Sequence, residues 1–369
     1  MKVKKVGCCA ETPLDVPIAG VFANQLNHQQ AEPKGAWITV NRACNFRCQW
    51  CYAQGTNYDA SQSMTFELAE HLLTLILSLG IRSVTIIGGE PTLWAPLLDF
   101  NKLCDSKKVR TTLVTNAMRF GDDAFWEKYR VAQNSKVGIS VKAFDNESLR
   151  RVADVRSFEI SKKGIERGVA TFKCGVSTVY NTTCADSLID IAKFAMDCGA
   201  QHLSISPCTP SFCGDKVDGT YVVHPRTVAQ NVLEMYPKLN EVTNGQVLFS
   251  MKLPLCLWPK EFIENLAKKN QISTVCQLQH RTGLIFDVDG KLAICNSLFD
   301  YAIGKFGEEF IDKESLLSLM NKPATVGLYD KLTSYPSTKC ISCEKYDLCA
   351  GGCPLFWSLY HPQEIIPGW

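Results

Sequence analysis

The sequence predicts an α/β protein: a partial (β/α)6 TIM-like barrel over residues 36–236 and a small cysteine-rich domain over residues 237–369, preceded by an N-terminal arm of residues 1–35. Three observations carry this. Short apolar runs alternate with helix-like segments six times between residues 36 and 236, the pattern of parallel βαβ units. A complete eight-unit barrel takes about 250 residues, so this stretch fits an open one. The 18 cysteines bunch, three at 44–51 and six at 276–353.

The elements follow in order. "AWITV" (36–40) reads as the first strand. "TFELAEHLLTLILSLG" (65–80) reads as a helix, with Thr65 to cap it, Glu67 in the first turn and Gly80 to end it. "SVTII" (83–87) is a second strand, and it runs into "GGEP". A helix fits "WAPLLDFNKLCD", a strand "RTTLVTNA", and a helix "DDAFWEKYRVA". "VGISV" (137–141) is the fourth strand and "SKKGIERGVA" its helix. "KCGVSTVY", "ADSLIDIAKFAMDCGA" and "HLSISP" give a strand, a helix closed by Gly199, and the sixth strand. Further on, "LIFDVDGKLAIC" reads as a hairpin turning at Asp289 and Gly290. In such folds chemistry collects at the C-terminal ends of strands, where both the first cysteine loop and "GGEP" fall.

Composition excludes several classes. With 39 basic and 37 acidic residues the net charge is +2, so there is no electrostatic footprint for nucleic acid or an acidic membrane. "MKVKKVGCCAETPLDVPIAG" lacks the unbroken apolar core of a signal peptide, and no apolar run is long enough to span a bilayer. The expectation is a cytoplasmic protein. A chain of this length does not need disulfide staples, so its cysteines point to metal or cluster ligation.

"ACNFRCQWCYAQG" (43–55) places Cys44, Cys48 and Cys51 within eight positions. Structural zinc takes four protein ligands, and iron–sulfur clusters normally take four Cys. Three thiolates on one loop suit a cubane with one iron left open. The C-x3-C-x2-C spacing, Trp50 before the last Cys and "GGEP" together resemble the radical S-adenosylmethionine (radical SAM) superfamily. The resemblance implies that Cys44, Cys48 and Cys51 hold a [4Fe-4S] cluster whose open iron binds SAM, which an external one-electron reductant helps cleave to a 5′-deoxyadenosyl radical. It places Trp50, with Tyr52 after Cys51, beside the cofactor. Gly88, Gly89, Glu90 and Pro91 match the family's GGE motif, in which Glu90 would accept from the SAM ammonium. Asn116 falls in "TNA" (115–117) and Ser140 in "GISVKAFD" (138–145), matching the third- and fourth-strand endings. Lys142 stands where the family commonly has Asp. It either pairs with the SAM carboxylate or is a solvated surface lysine.

Cys276, thirteen residues, Gly290, four residues, Cys295, and then Cys340-x2-Cys343-x5-Cys349-x3-Cys353 resemble the SPASM extension of that superfamily. This implies one or two auxiliary [4Fe-4S] clusters, although C-x2-C pairs also make zinc ribbons. By that resemblance Cys276, Cys295 and Cys353 serve a proximal cluster, with Cys256 of "LPLCLWP" as its fourth ligand, and Cys340, Cys343 and Cys349 serve a distal one. No Cys follows Cys353, so His361 or Glu364 would close the distal cluster, or it has an open iron, or it is absent. In "PCTPSFC" (207–213), Cys208 and Cys213 are candidates to return a hydrogen atom to a substrate radical.

SPASM enzymes mostly act on peptides or proteins. The expectation is oxidative modification (crosslink, cyclisation or dehydrogenation) of a ribosomally made peptide or protein side chain. About 35 residues precede the first strand, too few for a leader-binding domain, so a separate leader-recognition protein is a possible partner. The alternatives are a radical SAM epimerase or dehydrogenase of a peptide residue, sugar or aminocyclitol, and a non-enzymatic zinc-binding interaction protein.

Overall fold

A computed structural model describes residues 31–55, 59–132, 135–213 and 216–367. Most of the N-terminal arm lies outside them. Six strands follow the expected order: β1 (Gly35–Thr39), β2 (Ser83–Ile87), β3 (Arg110–Thr115), β4 (Ser135–Ser140), β5 (Cys174–Tyr180) and β6 (Leu203–Pro207). Each pairs parallel with the next. The crossovers carry α1 (Phe66–Ser78), α2 (Leu97–Ser106), α3 (Asp123–Tyr129), α4 (Asn146–Ala153), α5 (Phe158–Thr171) and α6 (Leu188–Asp197). The fold is thus α/β with the parallel sheet of a partial barrel.

Local chemistry sets these elements. Thr65 accepts from Leu68 N to start α1, which buries Leu72, Leu73 and Ile76. Each such side chain contributes roughly 1.5–3 kcal/mol on burial. Gly80 takes φ +79 just beyond the helix, a left-handed turn that favours glycine. The sequence pattern does not single out α4, a short and charged helix; its signal is the capping box between Asp145 and Ser148.

Beyond β6 a short hairpin, β7 (Ser211–Cys213) with β8 (Lys216–Asp218), precedes α7 (Pro225–Val242). Two further strands, β9 (Val247–Ser250) and β10 (Ile272–Ser273), flank α8 (Lys260–Lys268) and continue the parallel sheet past β6. At the other edge β11 (Gly283–Phe286) pairs parallel with β1. It turns at Gly290, φ +84, into β12 (Lys291–Ala293), followed by β13 (Ala302–Lys305). The result is one 11-stranded sheet, β10-β9-β6-β5-β4-β3-β2-β1-β11-β12-β13. Helices α9 (Lys313–Met320), α10 (Pro323–Leu332), α11 (Tyr346–Cys349) and α12 (Pro362–Ile365) complete the chain. The cysteine-rich segment is therefore joined to the barrel strand that feeds the first cysteine loop. Among the described residues no helix is long and apolar enough to cross a membrane.

Candidate active site

The first cysteine loop leaves β1 and is braced from the far side by α4. Arg47 N and Gln49 N donate to Ala153 O (2.8 Å) and Val152 O (3.1 Å). Phe46 packs with Leu149 and Val152, and Cys44, Cys48 and Trp50 lie against that cluster. The three half-buried thiols are close enough for the charges of Cys48 and Cys51 to raise Cys44. Burial is the larger cause, pushing Cys44 up to about 12 and Cys48 to about 11. Left alone these are neutral thiols; a bound cationic metal is what holds such groups as thiolates. The donor set therefore fits an iron–sulfur group.

The "GGEP" segment leans on the same loop. A Cβ on Gly88 would meet Asn41 O at 2.8 Å, and one on Gly89 would meet the Arg42 and Ala43 carbonyl oxygens at 2.4 Å. Gly89 N donates to Asn41 O (2.8 Å) and Glu90 N to Ala43 O (2.7 Å). Glycine is thus needed where two strand ends touch. Glu90 departs from the expectation that its carboxylate stands ready for an incoming ammonium. It is 1 % exposed, and it accepts from Thr92 N (3.1 Å), Thr92 Oγ1 (2.7 Å), Thr115 Oγ1 (2.6 Å) and Asn116 N (2.8 Å). These donors lie on the segments after β2 and at the end of β3, so Glu90 staples strand ends together. Burial raises its pKa and the four donors oppose the rise. Pro91 opens the turn that Glu90 caps. Asn116 carries the staple onward, its Nδ2 donating to Asn45 Oδ1 at 2.8 Å in the cysteine loop.

Lys142 is half-buried, two residues beyond Ser140 at the end of β4, and its charge opposes the rise at Cys48. It therefore stands on the cluster side rather than on a remote solvated surface. A cavity of about 290 Å³ opens beside the loop, lined by Trp50, Cys51, Cys208, Asp218 and Tyr221 among others. Burial pushes Cys208 up to about 11. Cys213 ends β7, and its side chain lies outside the described ones. Tyr52 stacks its ring on Phe299, 6.1 Å between centroids, next to Ile285 and Ala293 of the hairpin. Beside it Arg42 forms a buried salt bridge with Asp287 and lies over the Phe299 ring. Arg42 and Asp287 carry no motif. Only their placement on opposite partners of the β1/β11 pair reveals them.

The C-terminal thiols divide into two groups. Cys276, Cys295 and Cys353 influence one another, with the Lys252 charge beside Cys295 and Cys353. Cys340, Cys343, Cys349 and Cys256 form the other. This corrects the expected pairing of Cys256 with the first group. The segment carrying it is tied to Cys349, whose Sγ accepts from Leu255 N at 3.2 Å. His361 instead caps α12, accepting from Gln363 N, and Glu364 is exposed within that helix.

Residues 38–195 match the model of the radical SAM superfamily. A probable GTP 3′,8-cyclase of Thermococcus kodakarensis is 30 % identical over 132 residues, covering 36 % of this chain and 42 % of that protein. The chain spans 42 % and 61 % of the length of the first two curated relatives it matches. Among solved structures, SuiB of Streptococcus suis bound to S-adenosylmethionine superposes with a TM-score of 0.65 at 19 % identity, covering 88 % of this chain and 74 % of that one. The structure of anSMEcpe with bound AdoMet gives 0.66 at 17 % identity, covering 87 % and 89 %. These likenesses reach through the cysteine-rich segment and concern the fold. With the three-thiol loop, the "GGEP" staple and the parallel strand ends in place, residues 38–195 are similar to the radical SAM superfamily, a family that uses S-adenosylmethionine and a [4Fe-4S] cluster.

Proposed function

We propose that this chain is a radical SAM enzyme of the SPASM type, which oxidatively modifies a side chain of a ribosomally made peptide or protein. The observation that carries the reading is the two further thiol groups, one of which has Cys276 and Cys295 flanking the β11–β12 hairpin that pairs with the strand feeding the SAM-site loop. The cluster and SAM together supply a 5′-deoxyadenosyl radical that takes a hydrogen atom from substrate. The chain's own residues do the rest. Cys44, Cys48 and Cys51 hold the SAM cluster. Trp50 and Cys208 wall the adjoining cavity. Glu90 and Asn116 fix the loop, and Lys142 and Ser140 face the anionic side of the cofactor. Forming a crosslink or double bond requires the substrate carbon radical to lose one more electron and a proton; an iron–sulfur cluster held by Cys276, Cys295 and Cys353 would accept the electron, and the proton would leave to solvent. Support also comes from the neighbours: SuiB has been solved with its precursor peptide SuiA, and anSMEcpe with bound AdoMet and a peptide.

Two observations favour other substrates or outcomes. Curated relatives that the chain resembles are named GTP 3′,8-cyclases, two of them over 36 % and 56 % of this chain. Cys208, kept as S–H by burial, lines the same cavity as Cys51, where it could serve as a hydrogen donor for epimerisation. The test is anaerobic turnover in heavy water. An oxidised product is lighter by two hydrogens and does not require Cys208. An unchanged mass with one deuterium at an inverted carbon, abolished by Cys208→Ala, would refute the oxidative reading.

A further inference from the structure

The chain between β9 and α8 does something the cysteine spacing does not announce. Residues 252–257 run alongside residues 349–353. Cys353 N donates to Lys252 O at 2.7 Å, and Leu255 N donates to Cys349 Sγ at 3.2 Å. Gly351 and Gly352 take φ +74 and +83, and a Cβ on Gly352 would meet Pro254 at 2.8 Å. With Ala350 at φ +48 these make three consecutive left-handed residues that bend the chain there, a conformation that glycine adopts without strain. The bend sends Cys349 and Cys353 to different groups. Cys353 joins Cys276 and Cys295, and Cys349 joins Cys340 and Cys343.

Cys256 sits in the 3-10 turn Leu255–Leu257. Leu255 is buried on one side of it. On the other, Trp258 is 5 % exposed and its Nε1 donates to Ala229 O at 3.0 Å on α7. Both anchors point inward, which leaves Cys256 exposed among the thiols of Cys340, Cys343 and Cys349. Among the described residues no three His, Cys, Asp or Glu converge as ligands of one ion. Tetrahedral zinc draws thiolates to about 2.3 Å from the metal and so bunches them tightly, whereas a cubane spreads them.

We infer that Cys256 is the fourth thiolate of a closed site with Cys340, Cys343 and Cys349. The ligand that a residue beyond Cys353 would supply comes instead from the loop after β9, and Cys276, Cys295 and Cys353 are left as a three-thiol site. The inference rests on the reading that the C-terminal thiols hold iron–sulfur clusters.

The test is alkylation footprinting of anaerobically reconstituted holoprotein with iodoacetamide, read by peptide mass mapping, with iron and sulfide measured on the same samples. Cys256 is exposed, so reagent reaches it in the metal-free chain, whose labelling rate, slowed by the raised thiol pKa, is the reference. The holoprotein is expected to protect it at least tenfold. That protection should be lost in Cys340→Ala/Cys343→Ala and kept in Cys276→Ala/Cys295→Ala. Rapid labelling of Cys256 in wild-type holoprotein whose iron shows loaded C-terminal sites overturns the inference and leaves the cluster reading intact. Loss of protection in the Cys276→Ala/Cys295→Ala protein alone overturns it in favour of the other group. Zinc in place of iron with the expected protection pattern keeps the four-thiol set and sinks the cluster reading; absence of any C-terminal metal sinks both. The wild-type comparison needs no variant, so a variant that fails to fold does not rescue the inference.

Discussion

Replacing Gly89 by Ala is expected to disable the site through backbone geometry alone. The new Cβ would stand 2.4 Å from the carbonyl oxygens of Arg42 and Ala43, whereas ordinary contact begins at 3.4 Å. Both neighbours are backbone, so no rotamer relieves the clash, and the two strand ends must part by about 1 Å. The parting strains the hydrogen bonds from Gly89 N and Glu90 N to Asn41 O and Ala43 O, each contributing about 0.5–1.5 kcal/mol. It also displaces the segment that leads directly into Cys44. A misplacement of about 1 Å at a reacting centre costs on the order of 10²-fold in rate. The assay is 5′-deoxyadenosine formed with a strong reductant under saturating SAM, alongside iron content and a melting curve. The expected result is a rate about 10²-fold lower in a folded, iron-loaded protein. Gly175→Ala is the control, since its Cβ meets only His202 Nε2 at 3.8 Å. A wild-type rate in Gly89→Ala would refute the reasoning.

Changing Cys44, Cys48 and Cys51 together to Ala should abolish 5′-deoxyadenosine while leaving the C-terminal iron, about eight of about twelve irons per chain if all three sites carry cubanes; iron falling to zero would show that the C-terminal thiols are not cluster ligands. Asp287→Asn leaves the buried Arg42 guanidinium without its carboxylate. Removing one partner of a buried pair costs about 3–5 kcal/mol, and loosening of the β1/β11 seam should appear as earlier urea unfolding and faster proteolysis around residues 283–305. Cys208, raised from 9.0 to about 11 by burial, carries about 100-fold less thiolate at pH 8 than an unperturbed thiol. Its alkylation in the native protein should be slower by at least that factor, and labelling at the rate of a free thiol would show the cavity wall to be wrongly drawn. Asp123 is 73 % exposed, and hydrogen bonds from Lys163 and Arg167 hold its carboxyl below the ordinary 3.8. A lowered constant stabilises above the unfolded value and is lost as pH falls through the folded one. Asp123→Asn should therefore lower the stability of metal-free protein slightly above about pH 4 and flatten the acid limb below it, the two proteins converging as pH falls.

What the sequence determined by itself was local. The alternation of apolar runs was enough for the parallel strands, because side-chain burial repeats along each strand and helix. The three-thiol loop, "GGEP" and the Asp289/Gly290 turn were legible because each is built by neighbours in the chain. The tertiary structure decided what distant segments do to one another. It turned Glu90 inward, because Thr92, Thr115 and Asn116 supply donors that only strand pairing brings together. It stacked Tyr52 on Phe299, because β11 pairs with β1 across nearly 250 positions of sequence. It brought the turn carrying Cys256 beside Cys349, because a left-handed bend at 350–352 and the anchors Leu255 and Trp258 set the path of each segment. Spacing along a chain fixes which ligands share a loop; which loops share a site is settled by packing.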